Sequence, residues 1–457
     1  MPIKKVLIAN RGEIAVRIIR TCKELGIQTV AVFSEADRDS AQVRLADRAV
    51  CIGPPSAAKS YLQQATLIGA AKATGADAIH PGYGFLAENA EFAALCEAQG
   101  LAWIGPSASL IRQMGNKAEA RRTAVQAGVL VIPGSETILA DADAAVQIAR
   151  KLGYPVLLKA AAGGGGRGMR RVNSDDEMQR SFEQARGEAQ SAFGDGSLYL
   201  EKYLTGVRHI EVQILGDARG RVLHLGERDC TLQRRHQKLV EEGPSCLSPE
   251  LRCQLTEAAV RLGEYTGYQG AGTVEFVFNP DSQQAYFIEV NCRIQVEHPV
   301  TEGLTGIDIV AEQLRVAGGE ALSFVQADIR PRGHAIECRI NAEDATENFR
   351  PCPGTLTAFA PPGGMGVRVD THCYSGYVVP PYYDSLLAKL VVTAPDRDRA
   401  VRRMRRALGE FVVAGIPTTI PFLLQVLDTP DFVSNRIHTR WIEETLMAGK
   451  IAAPSLQ

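Results

Sequence analysis

At 457 residues the chain is too long for one ordinary core, and its 45% hydrophobic and 22% charged residues suit a globular protein of about two or three domains. Lys and Arg total 50 and Asp and Glu 52, so the formal charge is -2; this excludes a broadly basic nucleic-acid binder but not a local anion site. No run reaches the ~18 apolar residues of a membrane span, and MPIKKVLIAN has no apolar stretch behind its lysines, which argues against a secretory signal. The ten cysteines form no C-x-x-C pair and no zinc-finger spacing, so a reduced, cytoplasmic compartment is expected.

Residues 3–9, IKKVLIA, read as a buried strand, and Asn10-Arg11-Gly12-Glu13 opens a helix. Ile14, Ile18, Ile19, Cys22 and Leu25 recur on one face of that helix, and Gly26 ends it. Further strands are predicted at 28–33, Ala76–His80 and Leu101–Ile104. Such alternation implies a parallel sheet covered on both faces, in a first domain ending near residue 112. After the first strand, NRGEIA has one glycine where a G-x-G-x-x-G fingerprint needs three, which disfavours a Rossmann-type dehydrogenase. His80 and the HPGYGFLAEN turn sit after a strand, where open α/β sheets bind ligands.

Residues 155–170 read PVLLKAAAGGGGRGMR: a strand, Lys159, then Gly163, Gly164, Gly165, Gly166 and Gly168. Consecutive glycines cannot pack a core, but they bring main-chain N–H groups close to an anion. The loop is either a phosphate cover or a surface hairpin; it is not a Walker A motif, since no Gly-Lys-Ser/Thr follows. Lys117 in MGNKAEAR opens a predicted helix and reads by itself as a solvated lysine. Glu201-Lys202-Tyr203-Leu204 resembles a strand and turn able to offer backbone groups to an adenine edge. The run ERDCTLQRRHQKLVEE, with Gln233, His236 and Lys238, reads as a solvated charged face.

In AGTVEFVFNPDSQQAYFIEVN two strands flank an NPDSQQ turn, and the midpoint of Glu275 and Glu289, position 282, lies in that turn. A regular hairpin sets the two carboxylates opposite each other, a destabilising pair that a divalent cation would relieve; two exposed edge carboxylates are the alternative. In NCRIQVEHPVTE, Arg293, Gln295 and Glu297 alternate with Cys292, Ile294 and Val296, which predicts an amphipathic strand. His298 beside Pro299 could be structural or functional. Arg339 in ECRINAED falls in a strand and needs an acidic neighbour or an anionic ligand. A third region, 335–446, begins with turn-rich strands and becomes largely helical from Arg397, broken at Gly415-Ile416-Pro417. No compact zinc pattern and no G-x-S-x-G elbow occur.

Taken together, KKVLIANRGEIAVRIIR, HPGYGFLAENAEFA, MGNKAEAR, KAAAGGGGRGMR, RHIEVQ, ERDCTLQRRHQKLVEE, FIEVNCRIQVEHPVTE, GHAIECRINAED and GYVVPPYYDSLLAKL resemble the biotin carboxylase component of biotin-dependent carboxylases, an ATP-grasp family, from about residue 2 to 446. The resemblance implies an α/β and α+β protein: an N-terminal Rossmann-like domain (1–112), an ATP-grasp domain (113–334) with a mobile glycine-rich lid (about 131–203), a C-terminal mixed domain (335–446) and a tail (447–457).

It also implies residue roles. Lys117 and Lys159 would contact ATP phosphates, with Gly163–Gly166 and Gly168 as the closing lid loop. Glu201, Lys202 and Leu204 would form the adenine hinge, and His209, Gln233 and His236 would line the nucleotide site. Glu275 and Glu289, with Asn291, would hold magnesium or manganese. Lys238, Arg293, Gln295 and Val296 would surround bicarbonate, Glu297 would be the general base, Arg339 would face the biotin ureido oxygen and Tyr83 the biotin ring. The implied reaction carboxylates carrier-bound biotin through carboxyphosphate, with acetyl-CoA the acceptor expected first and propionyl-CoA, other acyl-CoAs or pyruvate as alternatives. One departure is Cys292, where the family often has Thr; alternation turns it away from Arg293 and Glu297. No A-M-K-M-like biotinylation segment occurs, so a separate subunit is expected, working with a biotin carboxyl carrier protein and a carboxyltransferase, and a homodimer as family members commonly are. Another ATP-grasp carboxylate–amine ligase, or a nucleotide sensor with a degenerate site, would lack dependence on biotin and bicarbonate.

Overall fold

The computed structural model describes residues 3–161 and 169–447. The expected glycine loop, Gly163–Gly166 and Gly168, lies outside the described residues. In the first region β1 (Lys5–Ile8), β2 (Gln28–Phe33), β3 (Arg48–Cys51), β4 (Ala78–His80) and β5 (Ala102–Trp103) form one sheet in the order β3-β2-β1-β4-β5. Every pairing in it is parallel. The helix Gly12–Glu24 buries Ile14, Ile18, Ile19 and Cys22 against it, as the spacing predicts. Edge strand β3 escapes sequence pattern because RAVC is short and mostly exposed.

His80 closes β4 fully buried, its Nδ1 accepting the Gly82 N–H at 3.0 Å. Burial holds its pKa down at about 3.

Three strands, β6 (Val156–Ala160), β7 (Arg170–Val172) and β8 (Leu198–Lys202), make a small antiparallel sheet with β6 in the middle. The helices Ala142–Leu152 and Asp175–Phe193 pack on it, and Ala145, Ala149, Leu158, Met178, Phe182 and Leu200 form a core of its own.

The largest sheet has eight strands: β9 (Arg208–Gly216), β10 (Val222–Arg234), β11 (Gln237–Gly243), β12 (Gly270–Asn279), β13 (Gln284–Asn291), β14 (His334–Asn341), β15 (Val367–Thr371) and β16 (Leu386–Ala394). Their order is β13-β12-β9-β10-β11-β14-β16-β15, so one continuous sheet runs from the acidic hairpin into the last region. Period-two alternation gives its β11, β14 and β16 strands two unlike faces. Val240, Ile336, Cys338, Ile340, Leu390 and Val392 pack into an apolar core with the helix Arg397–Glu410. Glu241, Glu337, Arg339 and Lys389 occupy the other phase, and Glu241, Glu337 and Lys389 are fully buried there.

The amphipathic strand expected over 292–297 does not form. β13 stops at Asn291, and residues 292–297 turn without ladder pairing into the helix His298–Thr305, with Pro299 in its first turn, where a missing N–H costs nothing. The division of side chains survives without the strand: Cys292 and Ile294 enter apolar clusters, while Gln295 and Glu297 are buried among polar groups. His298 is fully buried, its Nδ1 2.7 Å from the Gln295 carbonyl oxygen.

The neutral, buried His80 makes stability depend on acid. Its folded pKa of about 3 lies below the ordinary value of 6.5, so between those limits the unfolded chain binds a proton that the folded chain refuses. Stability therefore falls as pH drops below 6.5. In urea titrations at pH 7 and pH 5, His80→Asn should lose about 2 kcal/mol less than the parent over that interval. Equal losses would show that His80 is not held neutral.

Candidate active site

Glu275 and Glu289 are direct cross-strand partners, as the hairpin reading predicts. The route differs. The strands are joined by residues 280–283, which centres the turn half a residue earlier, and a register shift between Glu275 and Phe276 restores the opposition. The pairing continues across the sheet as Glu275 with Glu211 and Glu211 with Arg228. Cations relieve the like charges. Lys117, at the start of the helix Lys117–Gln126, places Nζ 3.3 Å from Glu289, and so is not merely solvated. His209 Nε2 lies 3.2 Å and Lys238 Nζ 3.0 Å from Glu275. Asn291 Nδ2 donates to Glu275 at 2.9 Å, and its Oδ1 accepts from Arg293 at 2.7 Å.

Lys238 is the centre of the cluster. Its ammonium donates to Glu211 at 2.6 Å, Glu275 at 3.0 Å and Glu297 at 2.7 Å. Burial works against that charge, but the three carboxylates outweigh it and hold the lysine well above its ordinary pKa. Burial likewise opposes ionisation of Glu297, yet Lys238 and Arg339 hold its carboxyl below the usual range. Arg339 reaches Glu297 at 3.0 Å and Glu241 at 2.6 Å, which supplies the acidic neighbour its position demands. His209 is pushed up to about 9, because Glu275 outweighs the effect of burial.

Of the other expected residues, Gln295, Gln233 and Arg293 touch this cluster or its direct partners, whereas Tyr83, Lys159, Glu201, Lys202 and Leu204 make contacts of their own elsewhere. Gln295 donates to Glu275 at 2.7 Å, Val296 offers its carbonyl to Lys389 at 3.0 Å, and Arg293 pairs with Glu88 at 2.8 Å. Gln233 is the cross-strand partner of Lys238, while His236 is exposed in the β10–β11 turn with φ of 66°. Tyr83 donates its hydroxyl to Glu13. Lys159 is paired with Glu201 at 2.9 Å, and Lys202 Nζ donates to the Gly153 and Tyr154 carbonyls. Leu204 packs on an apolar patch with Ile132, Val207, Val277 and Ile288.

Sequence reasoning missed several members. Arg228, fully buried, donates to Glu211, Gln213, Thr273, Gln295 and Thr301. Glu211 and Glu88 were visible only as letters within RHIEVQ and HPGYGFLAEN. Alternation in RHIEVQIL does put Glu211 in phase with Gln213, the one signal that could have found it.

The donor chemistry around Glu275 fits a hard divalent cation, which prefers carboxylate and amide oxygens. Among the described residues, ligand atoms of His209, Glu211 and Glu275 also lie within 4.8 Å of one another.

Family models match the chain in three consecutive stretches. Residues 2–111 match the biotin carboxylase N-terminal domain, 116–325 the ATP binding domain of the carbamoyl-phosphate synthase L chain, and 337–444 the biotin carboxylase C-terminal domain. Biotin carboxylase 1 of Bacillus subtilis is 54% identical over 96% of this chain and 98% of its own. A pyruvate carboxylase subunit of Methanothermobacter thermautotrophicus is 51% identical over 96% and 89%. The crystal structure of the biotin carboxylase domain dimer of Hydrogenobacter thermophilus 2-oxoglutarate carboxylase, with MgADP, ADP and bicarbonate, superposes with a TM-score of 0.94 at 50% identity, over 99% of this chain and 100% of that one. Likeness of this extent across all three regions means that the chain belongs to the biotin carboxylase family of the ATP-grasp superfamily and is an ATP-dependent enzyme of that family.

Proposed function

We propose that Glu297 is the general base that activates bicarbonate for ATP-dependent carboxylation of biotin. The observation that carries this is its placement, 2% exposed, between Lys238 at 2.7 Å and Arg339 at 3.0 Å. The two cations keep it deprotonated. When bicarbonate enters, it competes for Lys238, and Glu297 regains basicity at the moment a proton is to be taken. The bicarbonate oxygen so freed attacks the γ-phosphoryl group of ATP and releases ADP. Carboxyphosphate breaks down to CO₂ and phosphate; the phosphate takes the N1′ proton of biotin, and the ureido nitrogen attacks CO₂. Arg339 stabilises the charge growing on the ureido oxygen, an interaction strongest in the transition state.

Positioning and charge neutralisation are what phosphoryl transfer asks of a protein. Lys117 and Lys159 serve the phosphates, with Gly163–Gly166 and Gly168 as their cover. Glu201, Lys202 and Leu204 border the adenine, and His209, Gln233 and His236 line the nucleotide site. Glu275 and Glu289, with Asn291, suit Mg²⁺, which when bound would neutralise phosphate charge. The Hydrogenobacter relative, described with MgADP and bicarbonate, supports both ligands. Arg293, Gln295 and Val296 join Lys238 around bicarbonate, and Tyr83 borders the biotin ring. That relative's dimer supports a homodimer here.

The acceptor expected first, acetyl-CoA, is not favoured. The acceptors carried by the relatives' names are pyruvate, at 51% identity, and 2-oxoglutarate, at 50%. We therefore favour an oxo acid such as pyruvate, carboxylated by a carboxyltransferase fed through a biotinyl carrier protein. Trapping labelled carboxylate from bicarbonate with the co-purifying partner would identify the product.

ADP release by the purified chain should require bicarbonate and rise with free biotin. Glu297→Gln should lower the bicarbonate-dependent rate by at least about 100-fold, the scale of a lost general base; a rate near that of the parent rules it out. Cys292→Thr bears on the opposite phase. Cys292 is buried in the apolar cluster, so kcat should stay within about two-fold, and a larger change would show that its side chain reaches the reacting groups.

A further inference from the structure

Lys389 is fully buried in the middle of β16, and none of the roles above uses it. A buried ammonium is costly unless paired, so its partners are informative. Its Nζ lies 3.0 Å from the Val296 carbonyl oxygen and 3.1 Å from Glu13 Oε2, with Asp370 at 4.0 Å. Glu13 stands in the first turn of the helix Gly12–Glu24, and its other oxygen accepts the Tyr83 hydroxyl. One ammonium thus touches the two ends of the reaction path: the backbone that carries Glu297 and the acid that holds Tyr83.

The carbonyl contact has a specific consequence. Residues 292–297 have no ladder partner; the His298 N–H to the Gln295 carbonyl at 3.3 Å and the Val300 N–H to the Glu297 carbonyl at 3.1 Å tie them to the helix that follows, and the Val296 carbonyl between is held by the Lys389 side chain. The Val296 carbonyl and the Glu297 N–H belong to one rigid peptide plane. Fixing that oxygen fixes the plane from which the Glu297 side chain springs. Asp370 is already held by Arg368 at 2.6 Å, which leaves Glu13 as the closest carboxylate partner of Lys389.

We propose that Lys389 is a positioning residue for biotin carboxylation, fixing the Val296–Glu297 peptide on the bicarbonate side and, through Glu13, the Tyr83 hydroxyl on the biotin side. The inference rests on the roles given above to Glu297 and Tyr83.

The test is the separate Michaelis constants for ATP, bicarbonate and free biotin. Lys389→Met should raise KM for bicarbonate and for biotin about tenfold each, while KM for ATP stays within about two-fold, since small misplacements act on the groups they move. A purely structural lysine would instead lower the active fraction, reducing kcat with all three constants unchanged, and that result overturns the proposal. If Lys389→Met does not fold, Glu13→Gln decides. It keeps the shape of the side chain and removes the charge that holds Lys389, and it should raise the same two constants. Unchanged constants in Glu13→Gln overturn the proposal equally. Tyr83→Phe separates the underlying reading: if it leaves KM for biotin unaltered, the Tyr83 hydroxyl does not act on biotin, and Lys389 is then judged on the bicarbonate constant alone.

Discussion

Three carboxylates, those of Glu211, Glu275 and Glu297, converge on the single ammonium of Lys238. Each ion taken from water costs several kcal/mol even after relaxation, so such a cluster persists only if every member is paired and hydrogen-bonded. Arg228 meets that condition from beneath. It neutralises Glu211 at 2.6 Å and spends its other donors on Gln213, Thr273, Gln295 and Thr301, drawing on β9, β12, the 292–297 segment and the helix that follows. The geometry of four separate chain segments is thereby tied to one guanidinium. A site that must bind several anions is pre-set with its cations in place, their positions held by carboxylates that the incoming anions can relieve.

That arrangement needs a sheet with a polar buried face, and the eight-stranded sheet provides one. Its β11, β14 and β16 strands bury aliphatic side chains on one side, and that apolar core is what offsets the cost of the charged layer on the other. Because the two faces alternate with period two, a slip of one residue in β14 would send Arg339 into the apolar core and Cys338 toward Glu297. The hydrophobic pattern therefore sets the catalytic register as well as the fold.

Much of this was legible in the letters, unevenly. The first two strands and the helix between them follow from period alone, whereas the opposition of Glu275 to Glu289 needs a bulge that period does not show. The 292–297 segment defeated the same reasoning. Its alternation reports which side chains are buried, and that can arise in a turning segment as well as in a strand. The run 227–242 failed for a different reason. Charged residues in sequence look solvated, yet Arg228, Asp229, Glu241 and Glu242 are buried because their partners arrive from distant strands. Glu242, for instance, is held down at about 2 against the effect of burial by His334 and Arg397, far along the chain. Pairing across such separations leaves no local mark, and recognition of the family was what placed those residues in a site.

The charged layer also contains one acid that no cation fully answers. Glu337 stands directly opposite Glu241 in the β11–β14 register, a like-charge pair that a sheet tolerates poorly. Arg339, two residues along the same face, commits its Nε to Glu241. Among the described residues, neither carboxyl oxygen of Glu337 has a hydrogen-bond partner, and burial pushes its pKa well above the usual carboxylate range. Protonation is then the cheapest resolution. Burial raises Glu241 as well, to about 7, but its contact with Arg339 opposes that rise, so Glu337 is the more strongly disfavoured anion of the two. A neutral acid at that point leaves the guanidinium with two carboxylate partners, Glu241 and Glu297, and only the second faces Lys238. Arg339 is thus held between an outer carboxylate, Glu241, and an inner one, Glu297, which also meets Lys238.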